Sequence, residues 1–340
     1  MNHTTVGVDL AKSVFQLHWV DPVSGEIINK QIKRAVFLEH FANRERCLIG
    51  MEACGGAQHW ARRLIEMGHQ VRLMSAKSVK AFVTGNKSDA ADARAIWSAT
   101  QVRAGKQVAV KTEEQQAILA LHRMRAQQVK FRTAQMNSLR GLLAEYGEVA
   151  GRGRAALDRA MPDILERLAQ RLYAGVVDAM REQWNYLRAL DAQIAQIELR
   201  LQICMTENAA CRAVADIPGV GVLTATAAVA TMGDPKTFKS GREFAAWLGL
   251  VPAQTGTGGR VKLLGISKRG DVYLRTLLIH GARSVLSHAK APGPWIEQIR
   301  ERKPANVAAV ALANKMARMI WAVLAHERPY QKDYISVKRA

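Results

Sequence analysis

Strand-like sequence is confined to the first third of the chain, and this asymmetry limits the possible fold more than any other feature. Between Thr4 and Ser75 the apolar residues fall in short runs, VGVDL, VFQLHWV, EIINKQI, RCLIGME and QVRLM, with the length and composition of β-strands. Helix-like VFLEHFANR and AQHWARRLIEMG lie between the later runs, and Asp21-Pro22 with Ser24-Gly25 supplies a turn. After about Lys111 the strand signal stops. Long stretches rich in Ala, Leu, Gln, Glu and Arg then predict helices to about Met205, interrupted near Gly151-Arg-Gly153 and Pro162.

Three successive strands followed by alternating helices and strands have the element order of the ribonuclease H fold, an α/β class that shares parts of this order with other folds. The expected organisation is an RNase H-like domain over residues 1–110, a helical coiled-coil region over 111–206, a mainly helical domain over 207–327 and a tail over 328–340. The coiled coil rests on Leu187, Leu190, Ile194, Ile197, Leu201 and Cys204, spaced 3-4-3-4-3, with Tyr173, Val176 and Met180 extending the stripe upstream. Such a stripe packs within one chain, between two chains, or on an ordinary bundle. One Gly-rich, cationic stretch, about Val251 to Arg269, interrupts the last helical domain.

A chain of 340 residues can form two globular units. Its 49 Lys and Arg against 29 acidic residues leave a formal net charge of +20. That surplus points to a polyanionic partner, nucleic acid first, with a generic basic protein as the competing account. Cys47, Cys54, Cys204 and Cys211 form no Cys-x-x-Cys pair, which argues against a zinc site or disulfide framework and for a reducing cytoplasm. No run reaches the roughly 18–20 uninterrupted apolar residues of a membrane span, and the first residues lead straight into a strand. The expectation is a cytoplasmic, nucleoid-associated protein with no membrane partner.

Four acids carry the chemistry. Asp9 interrupts the apolar pattern of the first strand, where an ionised carboxylate needs compensation by a cation. Glu52 closes LIGMEACGG at the carboxyl edge of the sheet, where α/β sites form. Asp89 and Asp92, three apart at the start of a predicted helix, project from one face. Clustered carboxylates with oxygen-only ligation suit Mg2+ (or Mn2+), two ions clamping the attacking and leaving oxygens of a phosphodiester. The competing account is structural: strand-end acids cap turns, and Asp89 and Asp92 complement a helix N-terminus near Ser88.

In these blocks, GVDLAKS, IGMEACGG and NKSDAADARAI, the chain resembles the insertion-sequence transposases with an Asp-Glu-Asp-Asp, RuvC-like N-terminal domain and a separate C-terminal transposase domain, a family that includes the bridge-RNA-guided recombinases. The resemblance implies that Asp9, Glu52, Asp89 and Asp92 form the metal-binding tetrad. Further on, ADIPGVGVLTATAAVATMGD resembles the family's helix-hairpin-helix, and FAAWLGLVPAQTGTGGRVKLLGISKRGDVYLRTLL resembles its transposase signature. The family is understood to use a hydroxyl nucleophile, normally serine, after the signature proline, joined covalently to DNA in a composite site with another protomer. Here Pro252 to Arg260 contains only Thr255 and Thr257, and register places Thr257 closest to the nucleophile. Its extra methyl hinders attack and stiffens its rotamers. The resemblance also implies a guide RNA and a homo-oligomer, dimer or tetramer.

The cations have their own reading. Gly219 and Gly221 in IPGVG permit a tight turn whose backbone N–H groups face a phosphate at a helix N-terminus, or else a plain helix-joining turn. Lys236, Lys239 and Arg242 stand nearby. Arg260, Lys262, Lys268, Arg269 and Arg275 cluster around the Gly-rich stretch, where they could orient a scissile phosphate. Ser267 fits a phosphate contact or a helix cap. Arg123, Arg125, Lys130, Arg132 and Arg140 could track a nucleic-acid backbone or form a solvated face. Two other functions remain open: a hydrolytic nuclease or Holliday-junction resolvase in which water replaces the protein nucleophile, and a non-catalytic DNA-architectural protein. No Walker-type loop supports an ATPase.

Overall fold

The computed structural model describes residues 4–86, 88–102, 107–291 and 293–332. It forms two compact units, residues 1–113 with 232–237, and residues 114–231 with 238–340. Of the expected tail, residues 333–340 lie outside the described residues.

In the first unit β1 (Thr5–Leu10), β2 (Val14–Val20) and β3 (Ile27–Lys33) make an antiparallel meander. After α1 (Phe37–Ala42), β4 (Leu48–Glu52) pairs parallel to the far side of β1. Beyond α2 (Ala57–Glu66), β5 (Gln70–Met74) adds parallel to β4; after α3 (Ala76–Lys80) and α4 (Asp89–Gln101), β6 (Gln107–Val108) adds antiparallel to β5. The order β3-β2-β1-β4-β5-β6 is consistent with the ribonuclease-H-like fold.

Strand alternation decides which helix covers which face. Val6, Val8, Phe15, Leu17, Ile49 and Met51 are buried in one cluster with Phe37 and Phe41 of α1 and Trp60 and Leu64 of α2. Phe15, Phe37 and Trp60 meet edge to face, their centroids 4.8, 5.2 and 5.3 Å apart. The opposite face carries Gly7, Asp9, Gly50 and Glu52 and receives α4. A Cβ on Gly7 would run into the α4 backbone at Ala93 and Trp97, and one on Gly50 into the Thr100 side chain. Glycine at both places therefore lets α4 lie directly on the sheet. Trp97 fastens it there, its Nε1 donating to the Thr5 carbonyl at 3.1 Å.

The second unit is mostly helical: α5 (Glu113–Glu145), α6 (Arg154–Ala169), α7 (Ala174–Glu207), α8 (Ala209–Ala215), α9 (Val222–Met232) and α10 (Gly241–Trp247), then α11 (Val272–His288), α12 (Pro294–Arg302) and α13 (Ala305–His326). Helices α5 and α7 run antiparallel, tied by Arg125–Glu198, Arg132–Asp191 and Gln135–Gln183. The apolar stripe of α7 is filled from within the chain. Leu187 packs with Leu139 and Leu143 of α5 and with α6, and Ile197 and Leu201 pack with Ile118 of α5. Upstream, Met180 is buried as expected and the other two expected residues are not. Tyr173 is the residue before α7 and is exposed, as is Val176, while Val177 takes the buried place beside Met180.

The Gly-rich, cationic stretch that interrupts the helices is a β-hairpin, β7 (Pro252–Thr257) and β8 (Arg260–Ile266). PAQTGT has no large apolar residue, so no period-2 signal marks it. Thr257 pairs with Arg260 across Gly258 and Gly259, whose φ values of 57° and 77° make a tight two-residue turn that suits glycine. Helix α13 is long and apolar enough to cross a membrane by length and composition. In this fold Ala308, Leu312, Met316 and Ile320 are buried, and α13 packs against α8, α10, α11 and α12.

A histidine is among the polar groups buried in these helices. His122 of α5 is 2 % exposed, with Nδ1 3.0 Å from Tyr273 Oη of α11 and Nε2 3.0 Å from Thr226 Oγ1 of α9. Thr226 already donates to the Val222 carbonyl at 2.7 Å. Nε2 is therefore the donor to Thr226, and Nδ1 accepts from Tyr273. Burial, aided by Arg125, pushes the pKa of His122 down to about 4, so the ring is neutral.

Candidate carboxylate site and nucleic-acid-facing elements

Asp9 follows Gly7 on the face of β1 that α4 covers, and Glu52 follows Gly50 on the same face of the parallel neighbour β4. Both stand at the carboxyl end of their strands. The first turn of α4 carries Asp89 and Asp92. Neither caps the helix: the Ser88 hydroxyl does, accepting from the Ala91 N–H at 3.2 Å.

The electrostatics register the convergence. The Asp9 carboxyl is held above its ordinary value first by burial, then by the negative charges of Asp92, Asp89 and Glu52, against a single backbone hydrogen bond at Leu10. Nearby, partial burial and the charges of Glu52 and Asp9 push the Cys54 thiol up. Among the described residues no three His, Cys, Asp or Glu side chains stand close enough together to hold a metal ion as they are placed. An oxygen-only acid cluster whose central member is raised by its neighbours fits a hard divalent cation.

Gln16 is a residue that sequence reading passed over. It lies opposite Asp9 in the β1–β2 register and is 7 % exposed. Its signal is the alternation of VFQLHWV, which puts Gln16 and His18 on the α4 face and Phe15, Leu17 and Trp19 in the core.

In the second unit Thr257 is exposed at the end of β7, and Thr255 is exposed on the same strand. Arg260 and Lys262 are exposed on β8, and Lys268 and Arg269 in the following turn. Arg275 departs from its expected role. It is 7 % exposed and donates through Nη1 to the Leu248 and Arg269 carbonyls, both at 2.9 Å, so it fixes the base of the hairpin to the end of α10. Lys268, at φ 52°, is held there by its N–H to the Gly249 carbonyl. Ser267 is not the helix cap; Asp271 is, accepting from the Leu274 N–H at 2.8 Å.

The two glycines of IPGVG separate as well. Gly219, at φ 86°, is a packing glycine: a Cβ there would meet the Gly281 carbonyl, Val285 and Met316. Gly221 is exposed before α9, with open space where a Cβ would stand, and remains the phosphate-facing candidate. Lys236, Lys239 and Arg242 are exposed. On α5, Arg125 and Arg132 pair with α7 acids and Arg140 holds the carbonyls of Ala150, Gly151 and Gly153, so these three brace the chain itself. Arg123 and Lys130 are exposed.

A mixed sheet of this order with four acids at one end, in so basic a chain, is consistent with the ribonuclease-H-like class of nucleic-acid enzymes. Residues 6–148 match a profile described as transposase, of the DEDD IS110 type, and residues 211–296 match the transposase IS116/IS110/IS902 family. A probable family 20 transposase of Pseudomonas aeruginosa is 45% identical, covering 97% of this chain and 99% of that protein. The transposase for insertion sequence element IS1111A of Coxiella burnetii is 41% identical over 96% of this chain and 91% of its own length. That for element IS1328 of Yersinia enterocolitica is 35% identical over 97% and 99%. The chain belongs to the IS116/IS110/IS902 transposase family and is a DNA transposase.

Proposed function

We propose that this transposase cuts and rejoins the ends of its insertion sequence with Asp9, Glu52, Asp89 and Asp92 as the metal-holding acids and Thr257 as the nucleophile. The observation that carries the reading is the placement of Asp9 and Glu52 at the carboxyl ends of neighbouring parallel strands, on the face covered by the helix whose first turn carries Asp89 and Asp92. Magnesium or manganese held by these acids would neutralise charge at the attacking and leaving oxygens of the scissile phosphate.

Thr257 Oγ1 bonds to phosphorus while the bond from phosphorus to the departing sugar oxygen breaks. The threonine proton leaves to solvent and the departing oxygen takes one up, so the step is redox-neutral. Attack on the resulting ester by another strand's hydroxyl reverses these changes and completes the exchange. Arg260, Lys262, Lys268 and Arg269 place positive charge around the hairpin, while Gly221, Lys236, Lys239 and Arg242 grip backbone phosphates elsewhere. A structured guide RNA and a homo-oligomer, dimer or tetramer, belong to the same reading, as does action on the nucleoid in the cytoplasm.

Threonine where serine is usual favours one alternative, hydrolysis by water. The test is to incubate protein, element-end DNA, magnesium and flanking RNA, and to look for a denaturation-resistant protein–DNA adduct in wild type, Asp9→Ala and Thr257→Ala. An adduct mapped to Thr257 and lost in both variants is the expected result. Metal-dependent cleavage without adduct, unchanged in Thr257→Ala, would replace strand exchange through threonine by hydrolysis.

A further inference from the structure

A cleft of about 700 Å³ opens on the first unit, lined by Lys12, Ser13, Val14, Lys33, Arg34 and Trp60. Lys12 and Ser13 form the loop leaving β1, Val14 begins β2, and Lys33 and Arg34 end β3; the Arg34 N–H donates to the Ser13 carbonyl at 2.9 Å. These positions lie at the same end of the sheet as Asp9 and Glu52, with the acids on the α4 face and Trp60 on the α2 face.

The three cations are exposed, and among the described residues their side chains form no ion pair. The Arg34 guanidinium lies over the rings of Trp60 and Phe15, 5.2 and 5.7 Å from their centroids. The rings hold the cation in place while its N–H groups remain free to donate to phosphate oxygens. Trp60 is 8 % exposed and Phe15 fully buried, so little ring surface is open and the cleft suits phosphate and not a stacked base.

We propose that this cleft seats the phosphate backbone of the DNA strand running on from the carboxylates. The choice of DNA rests on the reading of the carboxylates as the cleavage site. Lys12 is three residues from Asp9, a span of at most about 10 Å and so within about three nucleotide steps of a phosphate at the acids.

The test uses full-length protein and a fluorescein-labelled single strand carrying the element end, with anisotropy read across a salt series. Replacing Lys12, Lys33 and Arg34 together by alanine should lower the slope of log affinity against log salt by about 2, the loss of three phosphate contacts on a single strand. Removing the same charge at Arg63, Arg181 and Arg302, each bonded to a neighbour on its own helix, should leave the slope unchanged. The pair Lys12→Arg and Lys33→Arg should retain it, which separates charge from folding. A photoreactive benzoylphenylalanine at Val14 should cross-link the DNA strand when flanking RNA is also present. An unchanged slope in the alanine variant, or cross-linking to RNA alone, would overturn the proposal. Calorimetric magnesium binding by wild type and Asp9→Ala reports the carboxylate reading separately: equal binding with a lowered slope sinks that reading and leaves the cleft.

Discussion

Asp9 is the residue at which folding and function pull in opposite directions. Burial and three neighbouring carboxylates raise its pKa above 3.8, so the folded chain disfavours the ionised form that a metal needs. The penalty is present above the raised value and is relieved as pH falls through it toward 3.8. Asp9→Asn should therefore melt higher than wild type at pH 7 without added metal, an advantage that fades on acidification. Magnesium should raise the melting temperature of wild type and not of the variant. Strand transfer should fall by about three orders of magnitude, the loss of several kcal/mol of charge stabilisation. His122 has the opposite sign. Its pKa falls from 6.5 to about 4, so folding stability is complete above pH 6.5 and is lost as pH drops to about 4. The amount is about 3 kcal/mol at most. His122→Phe should unfold more easily by about 1–3 kcal/mol at pH 7, because the ring's bonds to Tyr273 and Thr226 are lost. Melting curves across pH should show the variant without wild type's acid-side decline in the helical unit; an identical decline would remove His122 from the account.

Among the elements, α4 matters most, because it delivers two of the four acids. It lies on β1 and β4 only because Gly7 and Gly50 present no side chain to it. Gly7→Ala should destabilise the first unit by about 1–3 kcal/mol through overpacking, and should weaken magnesium-dependent stabilisation with every acid still present. Melting curves with and without magnesium check this; an unimpaired metal response would show that α4 does not set the acids. The hairpin of β7 and β8 has the reverse character. Val261 and Leu263 are 66% and 62% exposed, and the arm rises from a base fixed by Arg275, Gly249 and Gly270. A two-stranded arm is marginal alone, and this anchored base holds its register at Thr257.

Over the whole molecule, the long apolar stripe of α7 is a core feature. Leu190 and Ile194 are 2% and 4% exposed within one chain. Ile194→Ala should cost about 2–4 kcal/mol of stability in the helical unit while the oligomeric state, read by light scattering, stays that of wild type. Dissociation without loss of stability would return the stripe to an intermolecular role. Net charge acts at this scale too: with a surplus of 20 cations, affinity for any nucleic acid falls steeply with salt, so only slopes compared between variants separate a site from the general field.

Local pattern alone determined the strand runs of the first unit, the helical middle and the positions of the four acids in their elements, because alternation, helix periodicity and a charge in an apolar strand are written in neighbouring residues. The family signatures added Thr257 as the candidate nucleophile. Other features depended on contacts between distant segments. Nothing local distinguishes Arg275, which reaches two carbonyls, from Arg260, which is exposed. Gly219 and Gly221 look alike until Gly281 is seen against one of them. PAQTGT lacks the apolar residues that announce a strand, so the hairpin emerged only with its pairing. Lys12, the pair Lys33-Arg34, and Trp60 lie far apart in the chain, and only the closing of β1, β2, β3 and α2 into one sheet end makes them a cleft, since sheet pairing joins residues by register and not by sequence distance.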